Sequence, residues 1–143
     1  MKKMLRSCSI CLIIVVMLGS TAFAAQPAEP QSNSYILKTT ISPVALGNGV
    51  IGFYCGITGT GTMDKIGISY IEFYKADGTR LESHSYTEPG YEYMMNYNSF
   101  KHNAGVLFQG VAGESYYAIV YFHAGKGNGS GGFVMESSVI KAK

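Results

Sequence analysis

The sequence predicts an all-β domain of seven or eight antiparallel strands packed as a two-sheet sandwich. Three observations carry the prediction. From residue 35 onward no window of a dozen residues repeats its apolar positions at helical spacing. β-Branched and aromatic residues alternate with polar ones instead, and turn residues interrupt the alternation at short intervals.

Residues 1–24 stand apart. Lys2, Lys3 and Arg6 precede an apolar stretch over 10–18, and Ala22, Phe23 and Ala24 follow it. A basic start, a short apolar middle and small residues at the cut form a secretory signal peptide, with cleavage expected after Ala24. The apolar stretch is too short for a comfortable membrane span. Of 11 Lys and Arg, three leave with the leader, so eight face nine Asp and Glu and the formal charge becomes −1. That balance offers no electrostatic case for nucleic acid or for an anionic membrane. Cys8 and Cys11 also leave, and nothing after the leader suggests a lipid or membrane anchor, so a secreted, extracellular protein is expected. Cys55 is then the one cysteine, and the domain is expected to hold together by apolar burial alone.

Residues 25–33, AQPAEPQSN, read as a flexible segment ahead of a domain spanning 34–143. Residues 35–46 give a first strand. In residues 50–58, VIGFYCGIT, Ile51, Phe53, Cys55 and Ile57 share one face, and Gly52, Tyr54, Gly56 and Thr58 the other. Gly59 and Gly61 come next. A phosphate-binding glycine loop would lead into a helix and carry a Lys-Ser/Thr pair, whereas here IGISYIEFY follows, so residues 59–64 read as a connection between strands. In residues 66–75 the apolar phase moves from Ile66 and Ile68 to Ile71 and Phe73, the mark of a bulge or of burial on both faces. Ala76, Asp77 and Gly78 form a turn in which Gly78 suits positive φ. Residues 80–87 make a polar edge strand; residues 91–97, with Tyr91, Tyr93, Met95 and Tyr97 on one face, and residues 102–110 give two further strands. Residues 115–124 are apolar on both faces, as in a central strand; 125–132 read as a long loop, and 133–140 as the last strand.

The strand order resembles immunoglobulin-like and fibronectin type III domains. Val111 stands six residues before Tyr117, a spacing at which such domains place a corner-closing tyrosine, and Cys55 sits where they carry a first disulfide cysteine. Its partner is missing, since Ala118 and Val120 hold the opposite positions. The pieces TGTGTMDKIGISYIEFYKADGT, FKHNAGVLFQGVAGESYYAIVYFHAG and ESSVIKAK, together spanning much of 50–143, resemble a family of small exported proteins of Gram-positive bacteria defined as a domain of unknown function. That resemblance implies export and a β fold and transfers no site residue.

Catalytic chemistry finds little to stand on. Cys55 with His84, His102 or His123 could form a thiolate–imidazole pair, but Cys55 falls in the apolar row of a strand and reads as structural. The histidines, with Asp77 or Glu82, lack metal-ligand spacing, and no pair among nine carboxylates is singled out for glycoside cleavage. No catalytic residue, metal or cofactor is assigned.

Tyrosine is the informative excess, 11 residues with no tryptophan. Tyr54, Tyr70, Tyr74, Tyr116 and Tyr117 read as filling and edging the fold. Tyr86, Tyr91, Tyr93 and Tyr97 crowd a polar turn and read as a recognition surface, because tyrosine gives large contact area at low entropy cost. The sequence thus predicts a non-catalytic secreted protein that binds an extracellular glycan or protein through residues 86–97. A secreted antagonistic, toxin-like protein and a small secreted hydrolase are the alternatives.

Overall fold

A computed structural model describes residues 34–143. The predicted leader with Cys8 and Cys11 and the whole of the segment 25–33 lie outside the described residues. The expected β-rich class holds: the strands are β1 (Ile36–Gly47), β2 (Val50–Lys75), β3 (Arg80–Ser85), β4 (Met95–Gln109), β5 (Ser115–Lys126), β6 (Gly129–Glu136) and β7 (Ile140–Lys141), with one 3₁₀ turn at Glu92–Met94.

All seven strands belong to one antiparallel sheet, so the two-sheet, immunoglobulin-like sandwich gives way to a single sheet curled into a half-barrel. The cause is β2. Its first half pairs with β1 on one side and β4 on the other, and its second half pairs with β5 on the first side and with the start of β4 and then β3 on the second. β6 and β7 extend the sheet beyond β5.

The bend lies in the glycine stretch. Between the pairs Thr58↔Lys101 and Met63↔Ser99, β2 spends Gly59, Thr60, Gly61 and Thr62 where β4 spends Phe100 alone. Surplus residues on one strand of a pair force the sheet to turn. The expected connection over 59–64 is therefore a corner within a strand, where Thr60 Oγ1 donates to the Ser34 carbonyl at 3.0 Å. Past the corner Gly67 passes so close to the next segment that a Cβ there would lie 2.3 Å from the Met94 carbonyl oxygen.

The curl encloses one core. Phe53, Ile51 and Ile57 from the first half of β2 face Ile66, Ile68, Ile71 and Phe73 from the second, and Val106, Phe108, Tyr116, Val120 and Phe122 close the space between. The predicted phase shift is present as a register break between Ile68 and Tyr70, where Ser69 Oγ donates to the Tyr121 carbonyl at 3.0 Å.

Turns follow local chemistry. Asn48 (φ 52°) and Gly49 (φ 80°) form the two-residue link between β1 and β2, the positive-φ pair that a right-twisted hairpin selects. Gly78 adopts φ 89° as expected. Residues 125–132 are no long loop: β5 and β6 meet across Gly127 and Asn128, and the Gly127 amide donates to Asp64 at 2.7 Å. The corner-closing tyrosine is Tyr116 rather than Tyr117; its hydroxyl accepts the Val111 amide at 2.8 Å and donates to Glu114 at 3.0 Å. Residues 91–110 hold one strand after the 3₁₀ turn, because β4 crosses the corner unbroken.

Candidate functional site

The four tyrosines proposed from sequence divide. Tyr86 and Tyr91 pack against the core, whereas Tyr93 and Tyr97 are exposed. The Tyr86 ring lies under Lys65 Nζ, 4.1 Å from its centroid, and its hydroxyl accepts from the same ammonium. Tyr91 stacks on His84 with centroids 4.0 Å apart and planes at 9°, and Tyr93 continues the row at 6.3 Å. Burial pushes the Tyr91 hydroxyl above its ordinary value, and nearby Glu82 and Glu88 add to the effect. His84 also donates from Nδ1 to Glu88 at 3.2 Å. The Ser85 amide, and then His84, hold the Glu88 carboxyl below the usual range.

The remaining candidates are scattered. His102 Nε2 donates to the Tyr93 carbonyl at 2.8 Å, and His123 lies on β5. Among the described residues no three His, Cys, Asp or Glu side chains are gathered as a metal site. Cys55 is buried, and burial pushes its thiol up to about 12. Asp77 caps its own turn by accepting the Thr79 amide at 2.9 Å.

The tyrosines assigned to filling are mostly on the outer face. Around Glu72 stand Tyr74 and Tyr121, whose hydroxyls donate to it at 3.2 and 3.1 Å, and Arg80, which pairs with it at 2.8 Å. Tyr117 stacks on Tyr74, Tyr70 meets Tyr121 edge-on, and Arg80 reaches the Tyr70 hydroxyl at 2.7 Å. Every hydroxyl in this group but that of Tyr117 has a stated partner, so it braces the sheet.

A hollow opens instead on the outer face of β1, β2 and β4. Phe53, Cys55 and Ile57 point inward, so Tyr54, Gly56 and Thr58 point out. The register aligns Thr40, Gly56 and Asn103 in one row and Ser42, Tyr54 and Gly105 in the next. Gly56 leaves the floor bare: a Cβ there would lie 2.7 Å from Thr40 Oγ1 and 2.8 Å from Asn103 Oδ1, so two polar side chains converge above backbone. Tyr54, 47% exposed, leans across Gly52 and Gly105, where added Cβ atoms would come within 2.9 and 3.0 Å of its ring. The hollow encloses about 400 Å³. A smaller one of about 180 Å³ adjoins it, sharing Thr40, Gly56 and Asn103 and reaching Lys38 and Thr58.

The lining sets its chemistry. Two hydroxyls and an amide supply both donors and acceptors, and a half-exposed phenol ring offers a flat apolar surface beside them. No carboxylate lines either hollow. Sequence reasoning passed over this site, assigning Tyr54 to filling. The signal was glycine at 52 and 56 within an otherwise β-favouring run, since glycine inside a strand marks a place kept open or closely approached.

No family model matches this chain, and no curated protein or solved structure matches it either.

Proposed function

We propose that this protein, exported as its leader predicts, is a non-catalytic module that binds a glycan in the groove beside Tyr54. The observation that carries the reading is the combination of a phenol ring on a glycine floor with Thr40, Ser42 and Asn103 alongside it. A sugar ring has an apolar C–H face and a hydroxylated rim; the first suits the Tyr54 ring and the second suits short polar side chains. The groove sits on paired strands, which hold its groups in place before a ligand arrives, so little ordering cost accompanies binding.

The test is a glycan array probed with the wild-type protein, Tyr54→Ala and Gly56→Ala. Wild type should capture a defined set of saccharides. Tyr54→Ala should lose them with its melting temperature nearly unchanged, and Gly56→Ala should lose them because its Cβ, 2.7 and 2.8 Å from Thr40 Oγ1 and Asn103 Oδ1, displaces both side chains. A blank array, or capture indifferent to Tyr54→Ala, rejects the reading.

A second reading, capture of a protein by residues 93–100, draws on the exposure of Tyr93, Tyr97 and Phe100 on one stretch. Alanine at Tyr93 and Tyr97 abolishing pull-down of a partner from culture supernatant, with glycan capture intact, would favour it.

A further inference from the structure

Beyond the Thr40–Gly56–Asn103 row, the register places Lys38, Thr58 and Lys101 side by side on the same face. Both lysines are exposed, and among the described residues neither is in an ion pair. Lys101 Nζ lies 5.6 Å from the Phe100 ring centroid, a contact that leaves its charge open to water. The strand segments building this face, residues 36–47, 50–58 and 101–109, contain no Asp or Glu. Two strand spacings separate the lysine backbones, about 10 Å. Two cations at that separation, with no counter-charge on the face, make a local positive field on a chain whose charge after leader removal is −1.

The distance from this row to the tyrosine matters as much as the charge. Thr58 lies four residues beyond Tyr54 along β2, which is about 13–14 Å of extended strand. A single sugar cannot touch both ends. The two hollows nonetheless share Thr40, Gly56 and Asn103, so the path between the ends is continuous.

Building on the glycan reading, we infer that the ligand is an acidic polysaccharide, one sugar ring lying on Tyr54 and an anionic substituent further along the chain held between Lys38 and Lys101. The shared chemistry is a negatively charged group on a saccharide chain, whether carboxylate, sulfate or phosphate. Thr40 and Asn103 then bond the hydroxyls of the sugar in between.

Binding is measured by calorimetry at low and at physiological salt with four probes: polygalacturonate for carboxylate, dextran sulfate for sulfate, a poly(glycerol phosphate) for phosphate, and neutral dextran. The proteins are wild type, the double variant Lys38→Gln with Lys101→Gln, Tyr54→Ala, and Lys141→Gln as a control for charge elsewhere. At least one acidic probe should bind wild type, more weakly as salt rises. The double variant should weaken it about tenfold or more, Tyr54→Ala should abolish it, and Lys141→Gln should leave it unchanged, which separates this site from diffuse attraction to lysine. Neutral dextran bound as tightly as the acidic probes, with the double variant silent, overturns the inference and leaves the glycan reading standing. Acidic binding that ignores the double variant, or falls equally with Lys141→Gln, overturns it too. No saccharide bound at all, on the array or here, rejects both.

Discussion

Phe53 and Phe73 belong to the same strand, 20 positions apart, and their ring centroids are 5.3 Å from one another. A straight strand would hold them about 65 Å apart. The contact exists because β2 turns through the Gly59–Thr62 corner, and it makes one strand the source of both layers of the core. Phe73 also stacks on Phe108 at 4.9 Å, and Phe108 meets Tyr116 at 5.0 Å.

Replacing either Phe53 or Phe73 by alanine is expected to cost about 3–5 kcal/mol in denaturant unfolding. A double-mutant cycle should return a coupling of about 0.5–1.5 kcal/mol for the ring pair. Additive losses would mean that the two halves of β2 do not pack on each other.

Gly67→Ala is expected to destabilise by about 1–3 kcal/mol, because its Cβ would meet the Met94 carbonyl oxygen at 2.3 Å and Met95 Cα at 2.8 Å, both backbone atoms that cannot swing aside. Gly61→Ala, where a Cβ would meet nothing within 4 Å, serves as the comparison and should change the unfolding midpoint little.

Tyr91→Ala is expected to lower the melting temperature, since the ring is stacked on His84 and packed against the core. Tyr97→Ala removes a ring 58% exposed and should stay within about 0.5 kcal/mol. Equal effects would show that the tyrosines of residues 86–97 act as one group after all.

Cys55, its thiol pushed up to about 12 by burial, should resist a water-soluble alkylating reagent at pH 8 in the folded protein and react readily once unfolded in guanidinium. Rapid modification of the native protein would place the thiol at the surface.

Acid should weaken the fold in two stages. Burial, and then Lys65, lower His123 from its ordinary 6.5, so the unfolded chain takes up that proton first and stability begins to fall as pH drops below about 6.5. Asp77, Glu88 and Glu114 are held below their ordinary 3.8, 4.5 and 4.5, by the Thr79 amide, the Ser85 amide and Lys75 respectively. Their contribution is intact at neutral pH and is lost as pH falls from those values through the folded ones. His123→Gln should remove the first stage from a melting-temperature profile and leave the second.

Side-chain alternation and turn chemistry made much of this fold readable. The Ile68/Ile71 phase change located a real register break, and Gly78 located a real turn. Gly59-Thr60-Gly61-Thr62 was opaque because glycine and threonine carry no apolar alternation, so a strand rounding a corner looks like a gap between strands. Tyr97 to Lys101 concealed the continuity of β4 because polar Asn98, at φ 50°, and Ser99 interrupt the alternation there. The groove beside Tyr54 was out of reach because it depends on register: nothing in the chain says that Thr40 and Asn103 flank Gly56 until β1 and β4 are laid beside β2.

The central placement of β2 has a kinetic consequence. Val50 pairs with Gln109 and Lys65 with Gly125, partners about sixty residues further along the chain. Such distant closures lose entropy before any contact rewards them, which slows assembly. A polypeptide emerging amino end first can form the β1–β2 hairpin at once, yet the oily side of that hairpin stays wet until β4 and β5 have been made. The molecule matures late and nearly all together, with its longest strand serving as the template on which the rest is laid.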